Sequence, residues 1–181
     1  VTASARAPRL VFDTTCLSHF ARADRLDVLG DLLAGTECLV PHVVREELRE
    51  GSQRYPELAQ ILSLEWLQVV GLESLDRLKR FATWANRVGS GARNVGEASV
   101  LSLAEELGAT ALIDDRDATR VGRSFGVDVH GTIWLLAISC RAGKLTEPAA
   151  SNLVEALAHT GMRLPCTGIE FARFARAHGL L

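Results

Sequence analysis

Short apolar runs that stop on a carboxylate set the tightest limit on how this chain can fold. Leu10-Val11-Phe12 ends in Asp13, and Ala109-Thr110-Ala111-Leu112-Ile113 ends in Asp114-Asp115. Each run is short and almost wholly apolar, as expected of a strand covered on both faces. Glu37-Cys38-Leu39-Val40, Leu67 to Val70 and Val127-Asp128-Val129 read as three further short strands. Helical patterns fill the gaps between them. Thr14 or Thr15 is positioned to cap a helix through Phe20, and a second helix runs through Leu26 to Leu33. Pro41 opens a helix to about Glu50, at a position where its missing N–H costs nothing. A short helix follows the loop 51–56, and another spans 74–87. Asn94 precedes a helix over Val95–Leu107, and others continue through Val121, through Cys140, and over about 147–160 and 168–178. Strands that alternate with helices imply right-handed crossovers and a mainly parallel sheet, hence an α/β fold.

Composition excludes several classes of protein. Hydrophobic residues make up 48% and charged residues 23%, which suits a packed globular domain and argues against disorder. No apolar run reaches the roughly 18–20 residues of a membrane span, and the first residues lack a signal-peptide core, so a cytoplasmic location is expected. The chain opens on Val1 and its single methionine is Met162, so the natural start is expected upstream. Twenty basic against 22 acidic residues leave a formal charge of −2, which gives no global attraction to nucleic acid. Any such contact must be local. Cys16, Cys38, Cys140 and Cys166 form no C-x-x-C pair and are expected to be buried or half-buried free thiols. Residues 89–93 read as the loosest stretch of the chain.

Helix phase turns scattered acids into a pattern. With about 100° per residue, Glu47 falls about 40° from the centre of the stripe formed by Val43, Val44 and Leu48, while Glu46 lies on the far side. On the helix after Asn94, Glu97 falls about 50° from the stripe of Val100, Leu101, Leu103, Ala104 and Leu107, with Glu105 and Glu106 opposite. Asn94-x-x-Glu97 also has the form of a capping box. Asp13, Glu47, Glu97 and either Asp114 or Asp115 are thus expected at the carboxyl ends of the strands, the rim where α/β sheets gather function. Close carboxylates repel and raise one another's pKa values unless cations stand between them. Hard oxygen donors suit Mg²⁺ or Mn²⁺. A cation of that kind activates water and stabilises charge developing on a phosphodiester, so the pattern points to metal-dependent phosphodiester hydrolysis.

The residues Val11-Phe12-Asp13-Thr14-Thr15, Val43-Val44-Arg45-Glu46-Glu47-Leu48, Gly96-Glu97-Ala98 and Leu112-Ile113-Asp114-Asp115 resemble, in order and spacing, the four acidic motifs of the PIN-domain nucleases. The resemblance is closest to VapC-type toxins and covers roughly residues 10–140. It implies a three-layer α/β/α sandwich and a metal-dependent endoribonuclease, a hydrolase that cuts single-stranded RNA as the toxin of a type II toxin–antitoxin pair. Carried over, Asp13, Glu47, Glu97 and Asp115 would be the catalytic acids. Asp13, Glu97, Asp115 and Asp114 would hold Mg²⁺ or Mn²⁺, and Thr14 or Thr15 would supply a supporting hydroxyl. A homodimer and a small antitoxin that blocks the site are implied as partners, with single-stranded or structured RNA as substrate and no membrane. The organisation expected is a loose segment at 1–9, a PIN-like catalytic domain at 10–145, and C-terminal helices at 146–181 packed on the same domain. Two departures stand out: Glu97 occupies a position where many such toxins have Asp, and Asp114, Asp115 and Asp117 crowd the fourth motif.

Other readings of the same residues make different demands. Asp115-Arg116-Asp117-Ala118-Thr119 matches the D-x-D-x-T of haloacid-dehalogenase-type phosphatases, although that nucleophile normally follows the first strand. A non-catalytic PIN-like binding module would keep the fold and lose the chemistry. Gly89-Ser90-Gly91 and Gly96 lack the Lys-Ser/Thr of a phosphate-binding P-loop. His19, His42, His130, His159 and His178 show no metal-ligand spacing, and Cys16 beside His19 is expected to be packing. Trp66, Trp84 and Trp134 are expected to be core or interface anchors rather than base-stacking platforms. Arg77, Lys79, Arg80 and Arg87 are expected on a solvated helix face. Arg116, Arg120 and Arg123, on the helix after Asp115, are the candidates for RNA phosphate contacts.

Overall fold

A computed structural model describes residues 7–89 and 94–181 of the chain. The expected loop at 89–93 lies outside these except for Gly89, as does the expected loose start up to Arg6. The sheet contains β1 (Arg9–Phe12), β2 (Glu37–Pro41), β3 (Leu67–Val70), β4 (Thr110–Leu112) and β5 (Val129–His130). Its order is β3-β2-β1-β4-β5, and all four pairings are parallel. Arg9, placed in the loose start by its sequence, is instead the first residue of β1, where its Nε donates to Glu37 Oε2 on β2 at 2.6 Å.

The helices are α1 (Thr14–Arg22), α2 (Leu26–Leu32), α3 (His42–Gly51), α4 (Leu75–Val88), α5 (Val95–Leu107), α6 (Arg116–Ser124), α7 (Thr132–Arg141), α8 (Glu147–His159) and α9 (Phe171–Ala177). A 3₁₀ helix at Pro56–Ser63 stands where a short helix was expected. The strand order reverses at β1 and β4, so right-handed crossovers leave the sheet in opposite directions and place helices on both faces. The result is a three-layer α/β/α sandwich whose central sheet is wholly parallel.

The helix after Asn94 is covered more completely than one apolar stripe predicts. From Ala98 to Ala104 every residue of α5 is buried, because α5 packs on β1, β2 and β4 while α4 covers its outer side. Small residues such as Ala98, Ser99, Ser102 and Ala104 make that close approach possible. Three of the four cations expected on a solvated face of α4 serve this contact instead: Arg77 pairs with Glu106 at 2.9 Å, and Arg80 and Arg87 approach Glu105 at 3.5 and 3.7 Å, while Lys79 is exposed as expected. Trp84, fully buried, donates its indole N–H to Glu105 at 3.0 Å.

The C-terminal helices share the main core. Leu153, Val154, Leu157, Phe171 and Ala175 belong to the same apolar cluster as the strand residues Val11, Phe12 and Leu112. A polar latch joins α8 to α1. Thr160 gives its hydroxyl proton to Leu157 O at 2.6 Å, so its oxygen accepts from His19 Nδ1, also at 2.6 Å. Burial, reinforced by the nearby Arg22, pushes the His19 pKa down from 6.5 to about 4. The folded state therefore binds fewer protons than the unfolded chain between these values, and stability falls as pH drops through that window. Replacing His19 by Gln, which keeps an N–H donor, should remove this part of the pH dependence. Denaturation of native and variant at pH 7 and pH 4 should diverge at the acid end by at most about 3 kcal/mol.

Candidate active site

The reversal of strand order between β1 and β4 leaves a crevice at their carboxyl ends, and the acids converge there. Asp13 follows β1 directly, and its N–H bonds to Leu112 O at 3.1 Å, which ties it to the end of β4. It is only 4% exposed. Asp13, and not Thr14 or Thr15, is the residue that caps α1: its backbone is extended and its Oδ2 accepts from Thr15 N at 3.2 Å. Thr14 is thereby freed for another task. Its hydroxyl donates to Glu47 Oε2 at 2.5 Å, which fastens α1 to α3 across the crevice.

Glu47 lies inward on α3, while its neighbour Glu46 pairs with Arg49 at 2.7 Å on the outer side, as helix phase predicts. The Glu47 carboxylate rests against the backbone of α5 at Gly96. A Cβ at that position would stand 2.9 Å from Glu47 Oε2 and 3.0 Å from Oε1, so a side chain there would displace the carboxylate. The close approach explains why a glycine precedes Glu97. Glu97 itself is half-buried. The capping box expected with Asn94 does not form, because the Asn94 amide donates backward to Val88 O and Gly89 O. The backward bonds close the end of α4 and leave the Glu97 side chain to the crevice.

The two aspartates after β4 have separate roles. Asp114 turns toward α7, accepting from Thr132 N at 2.8 Å and from the Thr132 hydroxyl at 2.7 Å. Gly131 makes room for it, since a Cβ there would lie 2.7 Å from Asp114 Oδ1. Asp115 caps α6 through Oδ1, which accepts from Asp117 N and Ala118 N at 2.9 and 2.8 Å. The D-x-D-x-T pattern is thus helix-start chemistry. Asp117 points outward and pairs with Arg120 at 2.8 Å, and Thr119 donates to Ile113 O at 3.2 Å. The hold of Gly131 and Thr132 on Asp114 depends on β5 running beside β4, which no local sequence pattern signals.

Electrostatics bind these residues into one unit. Burial raises the Asp13 pKa first, backbone N–H groups of Thr15 and Thr14 oppose it, and Asp115 adds to the rise. Burial likewise raises Glu47, with the Thr14 hydroxyl opposing and Asp13 adding. Glu97 is pushed up from 4.5 to about 7 by burial and then by Asp13, Glu47 and Asp115. Asp114 rises through burial and through Asp13, against the two Thr132 bonds. Among the described residues none of these five acids forms an ion pair, while other acids such as Glu37, Glu105, Glu106 and Glu147 do. The same residues contain no ready-made cage of three His, Cys, Asp or Glu ligands. Mg²⁺ does not require one, because it retains waters and binds through a few carboxylates completed by substrate phosphate. The donor set, all hard oxygen and short of positive charge, fits such an ion.

A cleft of about 1300 Å³ opens beside the acids, with Glu97, Asp114 and Asp115 in its wall. Arg116, Arg120 and Arg123 also line it. Arg120 is engaged by Asp117, and Arg123 donates twice to Val129 O, at 3.0 and 2.7 Å. Arg116 forms no ion pair or hydrogen bond among the described residues. The four cysteines are free thiols, three buried and one half-buried. No helix among the described residues is long and apolar enough to cross a membrane.

The fold is thus a parallel α/β/α sandwich with a carboxylate cluster at its switch point. A family model described as a PIN domain matches residues 9–172, and the chain belongs to the PIN-domain family, whose members are generally metal-dependent nucleases. This membership overturns the phosphatase reading of residues 115–119. No curated protein matches the chain.

The raised Glu97 pKa has a measurable consequence. Its folded form binds more protons than the unfolded chain between pH 4.5 and about 7, so metal-free stability falls as pH rises through that window. Glu97→Gln should therefore stabilise the protein in EDTA at pH 8, by at most about 3 kcal/mol, and should have little effect at pH 4. Thermal unfolding at the two pH values reads both outcomes.

Proposed function

We propose that this PIN-domain protein is a Mg²⁺- or Mn²⁺-dependent endoribonuclease that hydrolyses single-stranded RNA and serves as the toxin of a type II toxin–antitoxin pair. The observation that carries the reading is the convergence of five acids, four of them with pKa values raised by burial and by neighbouring carboxylates, and none of them ion-paired among the described residues. Like charges gathered at such cost imply a positive ligand.

In this reading Asp13, Glu97 and Asp115 hold the cation, with Asp114 braced beside them by Thr132. The bound ion supplies Lewis-acid activation of water and neutralises charge on the phosphodiester. Glu47 is fixed by the Thr14 hydroxyl and by contact with Gly96, so it keeps its orientation when charge around it changes. Thr15 anchors Asp13 through its N–H and lines the cleft. Arg116, Arg120 and Arg123 flank the acids, where RNA phosphates would arrive, and Arg116 has the least internal competition. The substrate is single-stranded or structured RNA, and the setting is the cytoplasm.

Two partners belong to the proposal. A small antitoxin would block the site by presenting a cation to the acids. A second copy of the chain would cover the apolar side chains around edge strand β3, where Val69, Leu72, Leu75 and Leu78 are 40–65% exposed. Edge strands and exposed apolar patches are common sites of association.

The test is cleavage of RNA with Mn²⁺ present. Asp13→Asn should reduce it by at least roughly a hundredfold, the scale on which one charge-stabilising group registers. The same change should leave the protein folded, because it removes a buried charge. Cleavage that survives both this substitution and EDTA would reject the metal mechanism. Binding of RNA without cleavage by the native protein would assign a binding module on the same fold.

A further inference from the structure

The cleft beside the acids has walls that the phosphate chemistry does not use. His130, at the end of β5, and Trp134, in the first turn of α7, lie face to face with ring centroids 4.1 Å apart and planes 8° from parallel. Both are half-buried and both line the cleft. His130 is held at its ring edge by Asp128, whose Oδ1 lies 2.9 Å from its Nε2. The pair is therefore a fixed aromatic plate at the cleft wall. Trp134 packs against the core, as expected of an anchor, and also borders this open space. Trp84 is the tryptophan that the core encloses.

The plate starts one residue from the acid rim. Gly131 links His130 to Thr132, and the position of a Gly131 Cβ falls 2.7 Å from Asp114 Oδ1. A second pair, Phe174 on α9 and His178 just after it, lines the same cleft with centroids 4.0 Å apart. Arg163, exposed and unpaired among the described residues, stands in the same wall. Aromatic rings and guanidinium groups lining one cleft match the faces and phosphates of an unpaired nucleic-acid strand. A duplex hides its base faces and cannot use such a plate.

We infer that the His130–Trp134 pair is a base-stacking subsite that seats the nucleotide next to the scissile phosphate and restricts the substrate to single strands. The inference rests on the nuclease reading for the word scissile, and on the geometry of the cleft for everything else. Trp134 positions the strand and takes no part in the bond-breaking step.

The test uses the full chain carrying Asp13→Asn, titrated with single-stranded oligoadenylate RNA and followed by tryptophan fluorescence. Stacking should quench the emission, and the quench should vanish in a Trp134→Phe version that binds within about twofold of its parent. Trp134→Ala should weaken binding by roughly 5- to 150-fold. Duplex formed with oligouridylate should neither quench nor compete. Should Trp134→Ala bind as its parent does, or duplex quench equally, the subsite is overturned. Cleavage of RNA by the native chain, measured alongside, separates the two readings. Cleavage with no Trp134 effect removes the subsite alone, quenching without cleavage removes the nuclease alone, and no binding of either RNA removes both.

Discussion

Repulsion among carboxylates is the constraint around which the rest of this structure is arranged. Neighbouring parallel strands run about 4.8 Å apart, so acids placed at the ends of β1 and β4 are forced into mutual range. The fold answers with hydrogen bonds to each carboxylate: the Thr15 N–H to Asp13, the Thr14 hydroxyl to Glu47, Thr132 to Asp114, and two α6 N–H groups to Asp115. Each bond favours the charged form at its own residue. The pKa values of four of the acids remain raised, so these donors only partly offset burial and mutual repulsion.

The same need explains features that look unrelated. Gly96 and Gly131 lack side chains where a carboxylate must come close. Asp13 caps α1 and Asp115 caps α6, so two helix N-termini face the crevice with their partial positive charge. The arginines of α4, by contrast, are spent on Glu105 and Glu106 and hold α4 against α5. Positive charge is thus available at the cleft, from α6, and withheld from the acids themselves. A site arranged this way is open to a cation brought from outside.

The order of elements and the inward acids were legible because both follow from periodicity. Buried strands announce themselves as short apolar runs, and a 100° step separates Glu47 from Glu46 without any knowledge of the fold. Caps were less legible. Several polar residues clustered at each helix start, and the choice of Asp13 over Thr14, or the failure of the Asn94 box, depends on which partner lies nearby in space. The sequence gives no sign that Thr14 has a better use, since Glu47 is 33 residues away. Trp134 shows a similar limit: its packing on the core is legible from an apolar helix, but the cleft on its other side is not.

What the amino-acid order determined on its own was the parallel α/β architecture, the expected gathering of Asp13, Glu47, Glu97 and Asp114 or Asp115 at one rim, and the need for a cation that such a rim implies. These depend on local patterns of burial and on the rule that strand ends carry function. Tertiary structure alone decided how those acids are held, which of the paired aspartates braces α7 and which caps α6, and that His130 and Trp134 stack at the edge of the cleft. Such matters turn on distances between segments far apart in the chain, and only the folded sheet sets those distances.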